Sequence, residues 1–170
     1  MIFKNIFNKK NNESKLKNIT ENSVVSPIKG KRIEFETIDD FVFSKGLMGK
    51  GIAIVPTCGE IYSPVSGKVV VLAHTKHAIG ILTDSGIEVL IHIGYKTELL
   101  NGKEFTTYHS VGQRINAGEK LVSFKYDEMI KRDFDLTTMI IVTNTNDYKD
   151  VVTVDFKDIN VGDTIIEVIN

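Results

Sequence analysis

Short β-branched runs separated by turn residues constrain this chain more than any other feature of its sequence. From about Val24 onward the apolar runs are short, and Gly, Pro, Asn or Asp interrupts them at regular intervals. The runs lie at residues 51–55, 67–72, 79–82, 87–91, 120–124, 139–142, 151–154 and 164–168. Runs of this length and spacing are typical of strands, so the pattern predicts an all-β fold, an antiparallel sandwich or barrel.

A faint internal repeat indicates that the β units are duplicated. Gly112–Gly118 and Ile159–Gly162 share a frame of an apolar residue, a spacer, a Gly, a polar residue and then a strand. Glycine permits the positive φ that such a turn needs, and the repeat predicts a barrel-sandwich hybrid type of fold. Asp84–Gly86 predicts a tight turn between two strands. Asp127–Arg132 is the one good helical candidate in this body, so we expect at most one or two short helices.

The start of the chain has a different texture, because it is rich in Lys and Asn. We expect a flexible basic segment at residues 1–22 and one domain at residues 23–170. The apolar residues within Ile2–Phe7 fall on one face of a helix, which would allow weak contact with a membrane surface. We prefer a frayed, solvated terminus, because that apolar face is short.

Charge and cysteine content exclude several classes of function. The chain has 21 basic and 22 acidic side chains, and a formal net charge of -1 argues against a nucleic-acid binder with a large basic field. Its single cysteine, Cys58, allows no internal disulfide and no CxxC motif. No run approaches the ~18 apolar residues of a membrane span, and the first residues lack a secretory signal. We therefore expect a cytoplasmic protein.

Two of the four histidines, His77 and His92, stand where they could carry chemistry. His92 ends an apolar strand and shares a face with Leu90. If the strands on either side of Asp84–Gly86 pair antiparallel, His77 faces His92 at their open end. Neutral imidazoles are good nucleophiles because their ordinary pKa is near ~6.5. The pair would suit a phosphoryl acceptor with a stabilising partner, or half of a metal site, while a satisfied core histidine stays open as the alternative.

The residues around His92 resemble a known signature. Gly86–Thr97 consists of Gly, two variable residues, three apolar residues, the His, an apolar residue, Gly, Tyr95 where an apolar residue is usual, any residue and Thr. This stretch resembles the active-site signature of the glucose-type enzyme IIA family of the bacterial phosphoenolpyruvate-dependent sugar phosphotransferase system. Further blocks resemble that family in the same order, at Asp40–Thr57, Tyr62–Val69, Thr75–Ala78 and Gly112–Gly118. The resemblance covers about residues 24–169.

This resemblance implies a phosphotransferase component that works through a phosphohistidine. His92 would accept the phosphoryl group, His77 would contact that group and support its onward transfer, and Thr75 would orient an imidazole. The donor would be the phosphocarrier HPr, and the acceptor would be the cysteine of a IIB domain of a sugar permease. No cofactor is required, although a zinc ion can bridge His77 and His92 at contacts with regulatory proteins.

The resemblance also implies a docking surface beside the histidines. We expect an apolar rim that docks a partner and excludes water, formed by Phe41, Phe43, Leu47, Met48 and Leu90. Asp40 and Lys96 are expected at its edge. Lys96 stands where members of the family commonly carry an acidic residue, so it would repel a basic carrier. Glu98 and Asp40 would offset this repulsion.

Other functions are weighed against this one. A regulatory binding protein of the same fold would dock partners without phosphoryl transfer. A zinc peptidase of related β architecture would need two His separated by one residue and a His-x3-Asp set, and His74 and His77 lack that spacing. The chain has no Met-Lys-Met tripeptide of a biotinyl or lipoyl carrier and no P-loop for a nucleotide. Cys58 lies outside any IIB-type loop, and no membrane IIC segment is recognised, so we expect the permease to be a separate polypeptide.

Overall fold

The computed structural model describes residues 19–170, so most of the predicted flexible N-terminal segment, for which weak membrane contact was the alternative, lies outside the described residues. Within that range the strands are β1 (Ser23–Val25), β2 (Gly30–Ile33), β3 (Lys50–Pro56), β4 (Glu60–Tyr62), β5 (Gly67–Leu72), β6 (Ala78–Leu82), β7 (Glu88–Ile93), β8 (Phe105–Thr107), β9 (Arg114–Ile115), β10 (Lys120–Phe124), β11 (Thr138–Val142), β12 (Asp150–Thr153), β13 (Asp158–Ile159) and β14 (Thr164–Ile169). The helices are α1 (Phe41–Ser44) and α2 (Tyr126–Lys131), with 3₁₀ turns at Phe35–Thr37, Thr97–Leu100 and Thr145–Asp147. The predicted all-β class with two short helices is confirmed.

The strands form one large sheet and two small ones, and all their pairings are antiparallel. The large sheet has the order β13-β2-β3-β11-β7-β6-β5-β9, and the small sheets have the orders β1-β14-β12 and β4-β10-β8. β11 lies at the centre and is buried along its whole length. Ile140 and Val142 face the main core, while Met139 and Ile141 face a second cluster on the opposite side.

Each predicted apolar run forms a strand, because β-branched side chains pack well on a pleated, half-buried surface. The strands that the sequence did not indicate are β1, β2, β4, β8, β9 and β13, which have two to four residues each. Such strands are too short to show a period of two. Their place is set by pairing with distant strands.

Two matching turns confirm the predicted duplication. Ser26 and Ser63 each begin a Ser-Pro turn, and each hydroxyl donates to the main-chain carbonyl two residues further on, at 2.7 Å in both turns. The N–H of Gly162 donates to the Ser26 carbonyl at 3.0 Å, and that of Gly118 donates to the Ser63 carbonyl at 2.8 Å. These glycines have φ of +84° and +83°. The two halves therefore repeat the same backbone hydrogen bonds.

The two halves differ in the loop that connects the two strands of one antiparallel pair. The sheet order is symmetric about the β11–β7 pair, so β2 and β3 in one half correspond to β5 and β6 in the other. Residues 34–49 join β2 to β3 and contain α1, whereas only residues 73–77 join β5 to β6. α1 packs Phe43 into the cluster that contains Met139 and Ile141. The second half carries His77 in its short loop and has no corresponding insertion.

Helix α1 differs from the sequence prediction. Asp40 caps it, because the Asp40 carboxylate accepts hydrogen bonds from the N–H groups of Val42 at 2.9 Å and Phe43 at 3.4 Å. The single good helical candidate is confirmed as α2, and α1 is the second of the two short helices that the prediction allowed. An Asp before an apolar run is a common N-cap, and this signal could have located α1.

Candidate active site

The β6–β7 hairpin brings His77 and His92 together at its open end. Ala78 pairs with His92 across the hairpin, and the N–H of Ile93 donates to the His77 carbonyl at 2.8 Å. The two imidazole rings meet edge to face, with centroids 4.8 Å apart and planes at 84°. At the closed end, the N–H of Gly86 donates to the Thr83 carbonyl in the predicted turn. The expected meeting of the two histidines is therefore present.

Thr75 contacts His77 and not His92. Its hydroxyl oxygen lies 2.7 Å from Nδ1 of His77. When the hydroxyl donates to Nδ1, the proton of the neutral ring resides on Nε2. Thr75 can therefore set both the orientation and the tautomer of His77.

His92 is packed on two sides by other rings. The Phe43 ring lies 4.8 Å from the imidazole, centroid to centroid, and is tilted by 55°, and His77 approaches from the other strand. Nδ1 of His92 is buried and has no partner of full hydrogen-bond geometry among the residues that the structure describes. Nε2 is then the ring nitrogen that a partner molecule can reach.

Burial controls the protonation of both rings. Burial, reinforced by the neighbouring His77, lowers the pKa of His92 to about 4. The negative charges of Glu98 and Asp40, together with the Gly94 backbone, oppose this shift of the His92 pKa only in part. Burial also lowers the pKa of His77, against a smaller opposing effect of Glu98. Both rings are therefore neutral at neutral pH, and each keeps one nitrogen lone pair.

The backbone turns sharply after His92. Gly94 has φ of +75°, and its N–H donates to the Thr137 carbonyl at 3.0 Å. A Cβ at this position would lie 2.5 Å from the Thr97 methyl group and 2.8 Å from the Asp135 carbonyl oxygen. The close neighbours that require Gly94 are therefore Thr97 and Asp135.

The predicted apolar rim is present on and after α1, with one correction. Phe41 is 69% exposed and Leu47 is 65% exposed, and Met48 is also exposed. Leu90 is partly buried against the α1 cluster. Phe43, in contrast, is only 7% exposed. It supports the His92 ring from below and presents almost no surface to a partner, because the helix turns its side chain towards the sheet.

The two charged residues expected at the rim have local partners. Asp40 caps α1, so part of its charge is used within the chain. Lys96 is exposed, has φ of +56°, and its ammonium lies 4.8 Å from the centre of the Tyr95 ring. The positive charge of Lys96 is therefore available at the surface directly after the His92 strand.

Residues 22–148 match the protein family described as phosphoenolpyruvate-dependent sugar phosphotransferase system, EIIA 1. The chain belongs to this EIIA family. Family membership makes it a phosphotransferase component of the sugar phosphotransferase system, as the signature around His92 predicts.

Curated relatives of this EIIA chain fall into two kinds. The chain is 37% identical over 170 residues to the glucose-specific EIIA component of Oceanobacillus iheyensis, and the match covers 99% of this chain and 100% of that protein. It is 47% identical over 123 residues to the beta-glucoside-specific EIIBCA component of Bacillus subtilis, which covers 72% of this chain and 20% of that protein. The chain thus spans about a fifth of the length of the EIIBCA relatives that it matches.

A solved structure has the same fold as this EIIA chain. The glucose permease IIA from Mycoplasma capricolum superposes with a TM-score of 0.76 at 34% sequence identity, over 85% of this chain and 93% of that one. Across residues 19–170, none of the helices has the length and apolar character needed to cross a membrane.

The described part of this EIIA chain offers few metal ligands at the histidine pair. Among residues 19–170, no group of three or more His, Cys, Asp or Glu side chains is arranged to hold a metal ion. Zinc sites in proteins normally use three or four protein ligands. The peptidase alternative therefore lacks a ligand set in this part of the chain, and a zinc ion at His77 and His92 would need ligands from a partner.

Sequence reasoning missed two contributors to the site of this EIIA chain. Phe43 was expected at the docking surface, but it packs on the His92 ring. Thr97 was noted only as the last residue of the signature, and the structure places it fully buried against the turn after His92. The available sequence signal was a glycine, Gly94, three residues before Thr97, because glycine permits the positive φ of a tight local turn.

Proposed function

We propose that the chain accepts a phosphoryl group from phospho-HPr on Nε2 of His92 and passes it to the cysteine of a IIB domain. The observation that carries this proposal is the buried, neutral His92 ring with its Nδ1 inaccessible and the His77 ring 4.8 Å away. Only one nitrogen of His92 can then meet an incoming phosphorus atom.

The low pKa of His92 supports the nucleophilic role. With a pKa of about 4, the ring keeps a free lone pair at neutral pH. In the first step this lone pair on Nε2 bonds to phosphorus, while the N–P bond of phospho-HPr breaks and its electron pair returns to the HPr nitrogen. In the second step a IIB thiolate attacks phosphorus, and the N–P electron pair returns to His92. In-line positioning supplies most of the catalysis in such transfers.

His77 would stabilise the charge of the transferring group. The Thr75 hydroxyl lies on Nδ1 of His77, so the neutral ring can donate its Nε2 proton. A positioned donor of this kind stabilises the negative oxygens of a phosphoryl group more strongly in a site from which water is excluded. We therefore assign His77 to contacting the phosphoryl group and stabilising its charge in the onward transfer to the IIB domain, and Thr75 to orienting His77.

Helix α1 covers only one of the two halves of the large sheet, and the half that it leaves uncovered supports a docking face for a partner. In the first half α1 covers the sheet with Phe43. In the second half a shallow depression of about 90 Å³ lies over Gly80, bordered by Val70, Val71 and Leu90. A partner that packs an apolar segment there, against the exposed Phe41 and Leu47 side chains, would exclude water from the phosphohistidine. We propose that HPr and the IIB domain use this face in turn.

The residues on that face set the choice of carrier. Lys96 places a positive charge beside the His92 strand. A carrier with basic residues at the same contact would be repelled, and like charges at an interface slow association. We propose that Lys96 tunes which HPr donates. The zinc bridging expected at regulatory contacts would use the same two histidines, with further ligands from the partner.

The names of two relatives indicate the class of the acceptor permease. One relative is named for glucose and another for beta-glucosides, so we propose a IIB domain of one of these two classes as acceptor.

The location and the domain bounds are also proposals. HPr and the IIB cysteine act in the cytoplasm, and we propose that location for this chain. We also propose residues 23–170 as the domain, because β1 pairs with the last strand, β14, and closes the small sheet.

Phosphorylation in a reconstituted system tests the proposal. The chain is incubated with radiolabelled phosphoenolpyruvate, enzyme I and HPr, and the label is followed on acid treatment. We expect an acid-labile label that is lost in His92→Ala and retained in His109→Ala, a matched histidine control far along the chain at the β8–β9 connection. An unlabelled wild-type chain would overturn the proposal and favour a regulatory binding protein. A label that survives in His92→Ala would also overturn it, because another residue would then accept the phosphoryl group.

A further inference from the structure

The buried hydroxyl of Thr97 acts on the peptide that follows His92. Thr97 begins the 3₁₀ turn Thr97–Leu100 and is 0% exposed. Its hydroxyl donates to the Ile93 carbonyl. Ile93 also makes a hydrogen bond with its other backbone group, because its N–H donates to the His77 carbonyl at 2.8 Å. Ile93 is thus held from both sides, by one histidine strand and by Thr97.

The methyl group of Thr97 fixes the next residue along. A Cβ added to Gly94 would lie 2.5 Å from Cγ2 of Thr97, so this methyl group packs directly over the Gly94 backbone. The N–H groups of Gly94 and Tyr95 donate to the carbonyls of Thr137 and Asp135, at 3.0 and 2.8 Å. The two functional groups of Thr97 therefore act on Ile93 and Gly94, the two residues directly after the nucleophile.

This segment needs such a restraint. Gly94, Lys96, Asn101 and Gly102 all have positive φ, at +75°, +56°, +52° and +74°. For residues other than glycine, the left-handed region is unfavourable, so a segment with several such residues keeps its conformation only where contacts over-determine it. Thr97 lies in the middle of the segment and is its buried anchor.

We infer that Thr97 is a positioning residue for phosphoryl transfer, which holds the His92 imidazole in line by fixing the Ile93 carbonyl to the turn Thr97–Leu100, while the Ile93 N–H stays bonded to the His77 carbonyl. Thr97 does not touch the reacting atoms, and it acts through Ile93. The Glu98 carboxylate, which follows Thr97 in the same turn, opposes part of the lowering of the pKa that burial causes at both histidines. A loosened turn would therefore also change the field at the two rings. The inference rests on the proposed phosphorylation of His92.

A pair of isosteric variants tests the inference. Thr97→Val keeps the shape and removes the hydroxyl, and Thr97→Ser keeps the hydroxyl and removes the methyl group. Because misplacement by about 1 Å can cost about 100-fold in rate, we expect Thr97→Val to slow phosphorylation by phospho-HPr by about 10- to 100-fold. We expect Thr97→Ser to stay within about threefold of wild type, since its hydroxyl still holds Ile93.

A control and a spectroscopic readout separate positioning from stability. Ser26→Ala removes another buried hydroxyl, which donates to the Ile28 carbonyl at 2.7 Å in a different turn, and its transfer rate should match wild type. Imidazole nitrogen NMR should show altered His92 and His77 titration in Thr97→Val and not in Ser26→Ala. Should Thr97→Val fail to fold by circular dichroism, Thr97→Cys takes its place, because a thiol is a weak donor.

Each outcome is decisive. Wild-type rates and unchanged imidazole titration in Thr97→Val would overturn the positioning role. A loss in Thr97→Ser together with wild-type rates in Thr97→Val would also overturn it, because packing of the methyl group would then be the whole effect. A wild-type chain that takes no label would instead refute the phosphorylation of His92 on which the inference rests.

Discussion

The imidazole rings of His77 and His92 meet edge to face, with centroids 4.8 Å apart. The pairing of Ala78 with His92 across the β6–β7 hairpin fixes this distance. Because His92 lies in β7 and His77 directly precedes β6, the paired strand backbones hold the two rings in place. In the proposed transfer, the nucleophile His92 and its stabilising partner His77 thus face one another before any phosphoryl group arrives, which would lower the reorganisation needed in the transfer step.

Replacement of His77 should separate acceptance from onward transfer. In His77→Gln we expect His92 to be phosphorylated still, while transfer to a IIB domain falls about 100-fold or more, the usual loss when one positioned donor is removed. Quench-flow transfer from the isolated phosphoprotein to a IIB domain measures this step. His74→Gln, a change at an exposed histidine in the same loop, is the control. Equal transfer rates in wild type and His77→Gln would refute the stabilising role.

The pH dependence of stability should report on His92. Its pKa falls from an ordinary ~6.5 in the unfolded chain to about 4 in the folded chain. The unfolded state therefore binds the proton more readily, and stability that is fully present above pH ~6.5 is lost as the pH falls towards ~4. The expected loss from this group is on the order of 3 kcal/mol, and His77 adds a smaller loss in the same direction.

Chemical denaturation at a series of pH values measures that loss. The free energy of unfolding of His92→Gln, which cannot titrate at this position, should fall less steeply on acidification than that of wild type. Parallel pH profiles for the two proteins would contradict the low pKa of His92 in the folded chain.

The charge of Lys96 should govern the rate of donation. In Lys96→Asp we expect phosphorylation by a standard HPr to speed up several-fold, because attraction replaces repulsion at the contact. Stopped-flow transfer at low ionic strength measures the rate, and added salt should shrink the difference. Lys149→Asp makes the same charge change at an exposed site in the turn before β12. A rate for Lys96→Asp that is equal to or below wild type would remove Lys96 from the carrier contact.

Gly94, two residues after His92, should resist substitution. Gly94→Ala meets Thr97 and the Asp135 carbonyl within 2.8 Å and also has to adopt φ of +75°. Gly112→Ala is the matched control, since it has φ of +93° and no atom within 4 Å of its Cβ position. We expect Gly112→Ala to cost about 1–2 kcal/mol in the free energy of unfolding, which is the backbone penalty alone. Gly94→Ala should cost clearly more and should slow transfer, and equal costs in the two variants would disprove crowding at Gly94.

The long strands and the family could be predicted from the sequence, because both depend on local patterns. Runs such as 139–142 are β-branched and continuous, which is the pattern of a central, fully buried strand. The meeting of His77 and His92 was also predictable, because one tight hairpin relates them. The short strands β9 and β13 were not predictable, since only their pairing with β5 and β2 makes them strands.

The environment of His92 depended on contacts distant in sequence. Phe43 packs on its ring from the β2–β3 connection, and no local pattern says that this connection folds over β7. The role of Gly94 depends likewise on the Asp135 carbonyl, which β11 brings into place. Sequence patterns therefore predicted that His77 and His92 meet, and tertiary packing decided that Phe43 supports the His92 ring.

The nitrogen of His92 that carries phosphorus is the most direct test of the account. Imidazole nitrogen NMR of the phosphorylated chain would identify the bonded atom by its coupling to phosphorus. We predict coupling at Nε2 of His92, with a proton on the buried Nδ1. Coupling at Nδ1 of His92, or at either nitrogen of His77, would contradict the account.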